Sequence, residues 1–212
     1  MAASGRPAPV DKRRLILDAA VTVFAHQGFH HCRVSDVADQ AGVAYGLVYH
    51  YFESKEEILN EVFLERWQIM LDAIAAIDAR DELTVREKLY HVASFIIDSY
   101  RHDPDLMKVI IVEVTRAANS FGALHLDKIR EAYEAIAGIV EKAREEGSFK
   151  TGIPAEFAAM CFYGAIEQLL SGWIFNLLPQ TEEELERAKT LVVEAICGGL
   201  AVSPPSETAV SG

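Results

Sequence analysis

Tyr45, Gly46, Leu47, Tyr49 and His50 crowd into one short stretch, with Lys55 just beyond. The two phenols and the imidazole donate and accept hydrogen bonds, Leu47 offers an apolar contact, and Gly46 leaves the backbone bare. Carried on the outward face of one helix, such a set suits the reading of base edges in a DNA groove. Hydrogen bonds would go to ring nitrogens and exocyclic groups, and the apolar contact to a thymine methyl. Upstream, Arg33 and Ser35 suit phosphate oxygens, which position a protein on a duplex without reading its sequence. Lys55 falls in the first turn of a helix, where the macrodipole disfavours a cation by a few tenths of a kcal/mol. Free helix N–H groups and a lysine together make a phosphate clamp. Lys12, Arg13 and Arg14 share that placement on the first helix; phosphate contact and plain surface charge are both open for them. No nucleophile–base pair, metal-ligand spacing or phosphate loop occurs, so no catalytic residue, metal or cofactor is expected.

Those residues need a scaffold that fixes their angle. A helix is expected over Val34–Ala41, a turn at Gly42, a second helix over 44–50, and then the capping box Ser54-Lys55-Glu56-Glu57. Two short helices joined by a glycine-containing turn form a helix-turn-helix, whose second helix enters the major groove. Ala38 must be small where the helices cross. Gly42 permits a turn conformation that a Cβ resists. Val37, Ala41, Val43, Val48 and Phe52 point inward. Ahead of them, a first helix begins near Asp11, stacks Leu15, Ala19 and Val23 with Ile16, Ala20 and Phe24, and ends at Gly28.

The remaining chain has helical period throughout. A long helix over 54–77 buries Leu59, Phe63, Trp67, Met70 and Ile74. A box at Thr84–Glu87 opens a helix to about Tyr100, and Asp103-Pro104 caps the next, whose run Val109–Val114 is apolar on nearly all sides. Further helices are expected over 123–146, from Pro154 through Leu178, and from the box at Thr181–Glu184 to Gly198-Gly199. The fold class is therefore all-α, with about nine helices. The expected organisation is a flexible N-terminus over 1–10, a three-helix reader over 11–55, a bundle over 56–202 and a disordered tail over 203–212.

Composition narrows the function further. Half of the 212 residues are hydrophobic, which excludes global disorder. The net charge is −12, yet the first 55 residues carry six basic and five acidic side chains, so the acidity belongs to the body. An acidic body disfavours loose binding to polyanions, and any DNA contact must come from a small oriented patch. Cys32, Cys161 and Cys197 are odd in number and far apart, which suits a reducing, cytoplasmic setting. The first ten residues lack the apolar core of a signal peptide. Residues 155–178 are apolar enough to raise a membrane span, but Glu167 at the centre argues for a buried bundle helix or a dimer interface.

The run Val34-Ser35-Asp36-Val37-Ala38-Asp39-Gln40-Ala41-Gly42-Val43, then Gly46, Tyr49-His50-Tyr51-Phe52 and Ser54-Lys55-Glu56-Glu57-Ile58-Leu59, resembles the DNA-binding domain of the TetR family. The resemblance implies an all-helical homodimer, with three N-terminal helices on operator DNA and a C-terminal bundle that binds a small molecule and dimerises. A looser likeness covers Gly28-Phe29-His30-His31, Glu113-Val114-Thr115-Arg116 and Gly164-Ala165-Ile166-Glu167 with Trp173. It is similar to the fatty-acid-metabolism branch, which implies long-chain acyl-CoA as effector. The chain departs from the family pattern at the caps: Cys32 and Arg33 stand where Ser or Thr is usual, Ala44 where Ser is common, and Leu47 where Thr is common.

For the sensor, Met107, Ile110, Ile111, Val114, Phe121, Tyr133, Phe162, Ile166 and Trp173 are candidate tunnel residues, although plain core accounts for most of such a set. Arg116, with Arg101, Lys108 and Lys128, offers cations for effector phosphates. Glu167 needs a partner: Arg116 or Lys128, a polar ligand group, or a contact across the dimer. The last two helices supply apolar surface for a four-helix dimer interface, which presents two reading helices about 34–36 Å apart on a near-palindromic operator. The function implied is an effector-released transcriptional repressor of fatty-acid metabolism. A repressor answering a drug or another hydrophobic ligand, and a helical-bundle enzyme or lipid carrier using Glu167, are the alternatives.

Overall fold

The computed structural model describes residues 11–114, 123–149 and 152–200. The termini expected to be flexible, Arg116, Phe121 and the side chain of Val114 lie outside the described residues. Those residues form nine helices: α1 Lys12–Gln27, α2 Val34–Ala41, α3 Tyr45–Tyr51, α4 Lys55–Asp78, α5 Val85–His102, α6 Pro104–Lys108, α7 Ala123–Glu145, α8 Ala155–Ile174 and α9 Glu182–Leu200. A π-helical segment, Val109–Val114, follows α6. They group into two compact units, 11–65 with 105–114, and 66–104 with 123–149 and 152–200. Helix α4 runs unbroken from the first unit into the second.

In the first unit, local chemistry sets each boundary. The Asp11 carboxylate caps α1 by accepting from the Arg13 and Arg14 N–H groups. Gly28 stops α1 at φ 84°. Helix α2 lacks a side-chain N-cap acceptor, but Asp36 reaches back to the Arg33 N–H at 2.7 Å, keeping half of a capping box where Ser or Thr is missing. Ala44 gives α3 no side-chain cap. Gly42 closes α2 in the left-handed region at φ 62°, and its N–H and that of Val43 return to the last carbonyls of α2. Helix α1 packs on α2, and α2 on α3. Ile16, Ala20, Phe24, Val37, Ala38, Val48 and Phe52 are buried together as the core, while Ala41 and Val43 are only half-buried.

The run after Pro104 departs from the expected α-helix. It winds as a π-helix, in which each turn holds an extra residue, and it lies against α1. Val109, Ile110, Ile111 and Val112 are all buried, as an apolar run requires. Lys108 donates to the Ala25 carbonyl at 2.6 Å, and His26 meets Asp105 at 3.0 Å, so this segment is fastened to the end of α1.

In the second unit α7 packs on α8, and α5 and α8 pack on α9. Thr84 and Glu87 form the reciprocal capping box predicted for α5. Two lysines are buried. Lys88 donates to the Asp78 carbonyl at 2.6 Å, and Lys189 to Asp98 at 2.8 Å. Helix α8 ends at Ile174 rather than Leu178. Asn176 takes φ 56°, the N–H groups of Leu177 and Leu178 fold back to the Gly172 carbonyl, and the Leu178 side chain fills the space where a Gly172 Cβ would stand. Helix α9 runs through Gly198 and Gly199 to Leu200, so the glycine pair does not stop it.

Nothing lies within 4 Å of a Cβ built on Gly42, so replacing it tests conformation alone. Gly42→Ala is expected to lower stability by about 1 kcal/mol, read as a reduced urea midpoint at unchanged m-value.

Candidate functional site

The outward face of α3 is built from Tyr45, Gly46, Tyr49 and His50, all exposed, with Leu47 half-buried. Val48 and Phe52 anchor the opposite face and are essentially inaccessible. Tyr45 and Tyr49 lie one turn apart and are 53% and 45% exposed, unusual for two adjacent aromatic rings. Their rings meet edge to face at 5.1 Å, and the Tyr45 hydroxyl donates to the Tyr49 hydroxyl at 3.2 Å. The Tyr49 phenol is pushed up, chiefly by that hydrogen bond. The pair therefore presents two prearranged hydroxyls, each with capacity left for a base edge or a phosphate. Tyr51, not singled out by the sequence, is also exposed and stacks edge-on with His50 at 5.1 Å. Arg33 is exposed at the start of α2, and Ser35 is half-buried beside it.

The basic residues take parts that spacing did not reveal. Lys55 donates to the carbonyls of Phe29 at 2.6 Å and Cys32 at 3.1 Å, and its ammonium sits 4.7 Å from the Phe29 ring centre. Its role in this structure is a clasp on the loop between α1 and α2. One of its three donors is left for a phosphate. Arg13 pairs with Glu61 and with Glu65 on α4, and lies 5.4 Å from the Phe52 ring centre. Its guanidinium is pushed up, first by the hydrogen bond to Glu65. Arg14 binds Asp18 and Glu65. Of the first-turn cations, Lys12 is exposed and makes no ion pair among the described residues. Arg13 and Arg14 are thus held by carboxylates of α1 and α4.

The candidate sensor residues divide between the two units. Met107, Ile110 and Ile111 are buried in the first; Phe162, Ile166 and Trp173 are buried in the second, with Tyr133 half-buried there. Trp173 stacks on Tyr100 at 5.9 Å and donates to the Pro179 carbonyl, which ties it to the turn after α8. Three of the four candidate cations are engaged. Arg101 binds Glu182, Lys108 holds the Ala25 carbonyl, and Lys128 binds Glu131 at 2.7 Å and Gln68 at 3.3 Å. Lys128 is therefore not the partner of Glu167. Among the described residues Glu167 has no hydrogen bond or ion pair, and burial pushes its carboxyl above the usual range. Beside α9, an open groove of about 1000 Å³ is walled by Leu169, Leu178, Ala188 and Leu191. Leu191 is 64% exposed, and Phe157 and Met160 on α8 are also exposed. No helix among the described residues is long and apolar enough to cross a membrane.

A helix-turn-helix with a hydrogen-bonding outer face, and a separate helical unit rich in buried apolar side chains, define a DNA-binding regulator of the one-component class. The sequence pattern of the bacterial regulatory proteins of the tetR family matches residues 16–62, and that of the tetracyclin repressor-like C-terminal domain matches 86–196. The chain belongs to the TetR family. It is 30% identical to the fatty acid metabolism regulator protein of Bacillus subtilis over 186 residues, covering 87% of this chain and 93% of that one. The FadR structure from Bacillus subtilis in complex with stearoyl-CoA superposes with TM-score 0.76 at 28% identity, covering 88% and 98% of the two chains. FadR from Bacillus halodurans shares the fold, with TM-score 0.81 at 24% identity over 91% and 97%. Members of the family are transcriptional regulators that bind operator DNA and small-molecule effectors and dimerise; they are not enzymes. The bundle-enzyme reading is thereby set aside.

The unpaired carboxylate yields a stability prediction. A carboxyl raised in the folded state is neutral in both states below its unfolded value, and penalises folding fully only above its folded value. Glu167→Gln should therefore raise the melting temperature at pH 7, by about 2–4 °C for each kcal/mol relieved. The gain should fade as pH falls into the ordinary carboxylate range, when scanned by calorimetry between pH 4 and 8.

Proposed function

We propose that this protein is an acyl-CoA-released repressor of fatty-acid metabolism. Its reader, 11–55, places α3 in the major groove. Tyr45, Gly46 and Leu47 face base edges, and Tyr49, His50, Arg33 and Ser35 face the backbone, with the remaining donor of Lys55 in support. The observation that carries the DNA reading is the exposed, mutually bonded tyrosine pair on the helix that Val48 and Phe52 anchor. The body, 56–202, binds the effector and pairs with a second copy through the outer faces of α8 and α9, where Phe157, Met160 and Leu191 lie open. Two-fold symmetry then requires a near-palindromic operator.

The effector reading rests on likeness to the Bacillus subtilis regulator solved with stearoyl-CoA. Tyr133, Phe162, Ile166 and Trp173 of the second unit supply its apolar contacts. The protein works in the cytoplasm, where both operator and acyl-CoA are found. An effector that favours one arrangement of the dimer must bind more weakly when DNA holds the other.

Fluorescence anisotropy on DNA from upstream of the gene, at fixed salt, tests both halves. Tight binding that long-chain acyl-CoA abolishes is the expected result. Binding that acyl-CoA leaves unchanged removes the effector and keeps the repressor. Tyr49→Ala, at an exposed site, should keep the fold and weaken operator binding about tenfold or more, equivalent to about 1.4 kcal/mol; unchanged affinity would remove the tyrosine pair from the interface.

A further inference from the structure

Two charged side chains of the second unit, Arg66 and Glu167, make no ion pair or hydrogen bond among the described residues. Arg66 on α4 is half-buried, its guanidinium carbon 5.3 Å from the Phe95 ring centre. Among the described residues it makes no ion pair and no hydrogen bond. Stacking on a ring leaves the in-plane N–H donors of a guanidinium free. Glu167 on α8 is half-buried and equally unbonded. Tyr163 stands one turn before Glu167, almost fully buried. Its ring lies 5.6 Å from that of Tyr133 and 6.2 Å from that of Trp67.

The two charges do not neutralise each other. Burial lowers the Arg66 guanidinium, opposed by Asp103 and Tyr163; burial alone raises Glu167. Tyr163, whose ring meets that of Trp67, the neighbour of Arg66, and which stands one turn before Glu167, is raised by burial and Glu167 and lowered by Arg66. A bundle optimised for stability alone would pair these groups or replace them with apolar ones. Desolvated, unbonded charges beside an aromatic cluster are the arrangement of a recognition site, where a few polar groups orient a largely apolar ligand.

Building on the effector-binding role of the bundle, we propose that Arg66 is the anion-binding residue of the effector site. It receives the carboxylate or phosphate of an amphiphile. Tyr133, Tyr163 and Trp67 flank the ligand beside it, and Glu167 accepts a hydrogen bond from a ligand N–H or O–H. A fatty acid supplies only the anion; an acyl-CoA supplies phosphates and amide N–H groups as well.

Calorimetric titration of the full chain with palmitoyl-CoA, hexadecanoate and hexadecanol, each kept below its micelle concentration, tests this. Arg66→Met should weaken both anionic ligands at least tenfold and leave hexadecanol within twofold, and Arg66→Lys should recover part of the loss. Glu167→Gln should weaken palmitoyl-CoA more than hexadecanoate. Circular dichroism checks folding, and Arg66→Gln replaces the methionine variant if that one fails to fold. Three results would overturn the proposal: a folded variant that binds all three ligands as the native chain does, one that loses all three equally, or a native chain that binds neither anion better than hexadecanol. Hexadecanoate bound through Arg66 without palmitoyl-CoA binding upholds the proposal and removes the acyl-CoA reading. Tight palmitoyl-CoA binding indifferent to Arg66 removes the proposal and leaves that reading intact.

Discussion

A helix of seven residues cannot hold itself in water, because the cost of nucleation is spread over too few hydrogen bonds. Helix α3 is that long, and it has no side-chain N-cap. Its geometry therefore depends on burial from below and on fixed chain entry and exit. Val48 and Phe52 supply the burial, and Gly42 sets the entry angle in a conformation that other residues resist. Beyond the exit, Lys55 holds the loop before α2 and Arg13 joins α1 to α4 while lying over Phe52. Cations that a simple electrostatic reading would send to DNA are thus the fasteners of the reader. The proposed DNA-facing residues of α3 are neutral or nearly so, Tyr45, Gly46, Leu47, Tyr49 and His50.

The second unit shows the opposite economy of charge. Lys88 and Lys189 are nearly inaccessible, but each has carboxylate and carbonyl or second-carboxylate partners that offset desolvation. Asp78 illustrates the balance: burial pushes its carboxyl up, and hydrogen bonds from Lys142 and Lys88 more than reverse this, so it ends low. Against that background the unbonded Arg66 and Glu167 are exceptions within the same bundle. Stability alone gives no reason to keep them there, and the proposed effector contact does.

Local signals were legible in the sequence. The boundaries of α2, the capping box at Thr84 and Glu87, the stop at Gly28 and the turn at Gly42 all appear where side-chain chemistry placed them. These depend on residues a few positions apart. What failed depends on distant partners or on tertiary packing. The end of α8 is set by Leu178 folding onto Gly172, which periodicity does not register. The π-helical winding of Val109–Val114, a segment that lies against α1, leaves no mark in its apolar pattern. The contacts of Lys55 and Arg13 are not legible locally, because their acceptors lie more than twenty residues away. Arg66 passed unnoticed, although a lone arginine between Phe63 and Trp67 on a buried stripe was a visible anomaly.

If the protein couples an effector to an operator, the coupling must be the same measured from either side. The direct test is the dissociation constant of palmitoyl-CoA, determined by calorimetry without DNA and again with the protein saturated by its operator. Operator should weaken palmitoyl-CoA by the factor with which palmitoyl-CoA weakens operator. Identical effector affinity in both states would contradict it, because a ligand indifferent to bound DNA cannot release the protein from it.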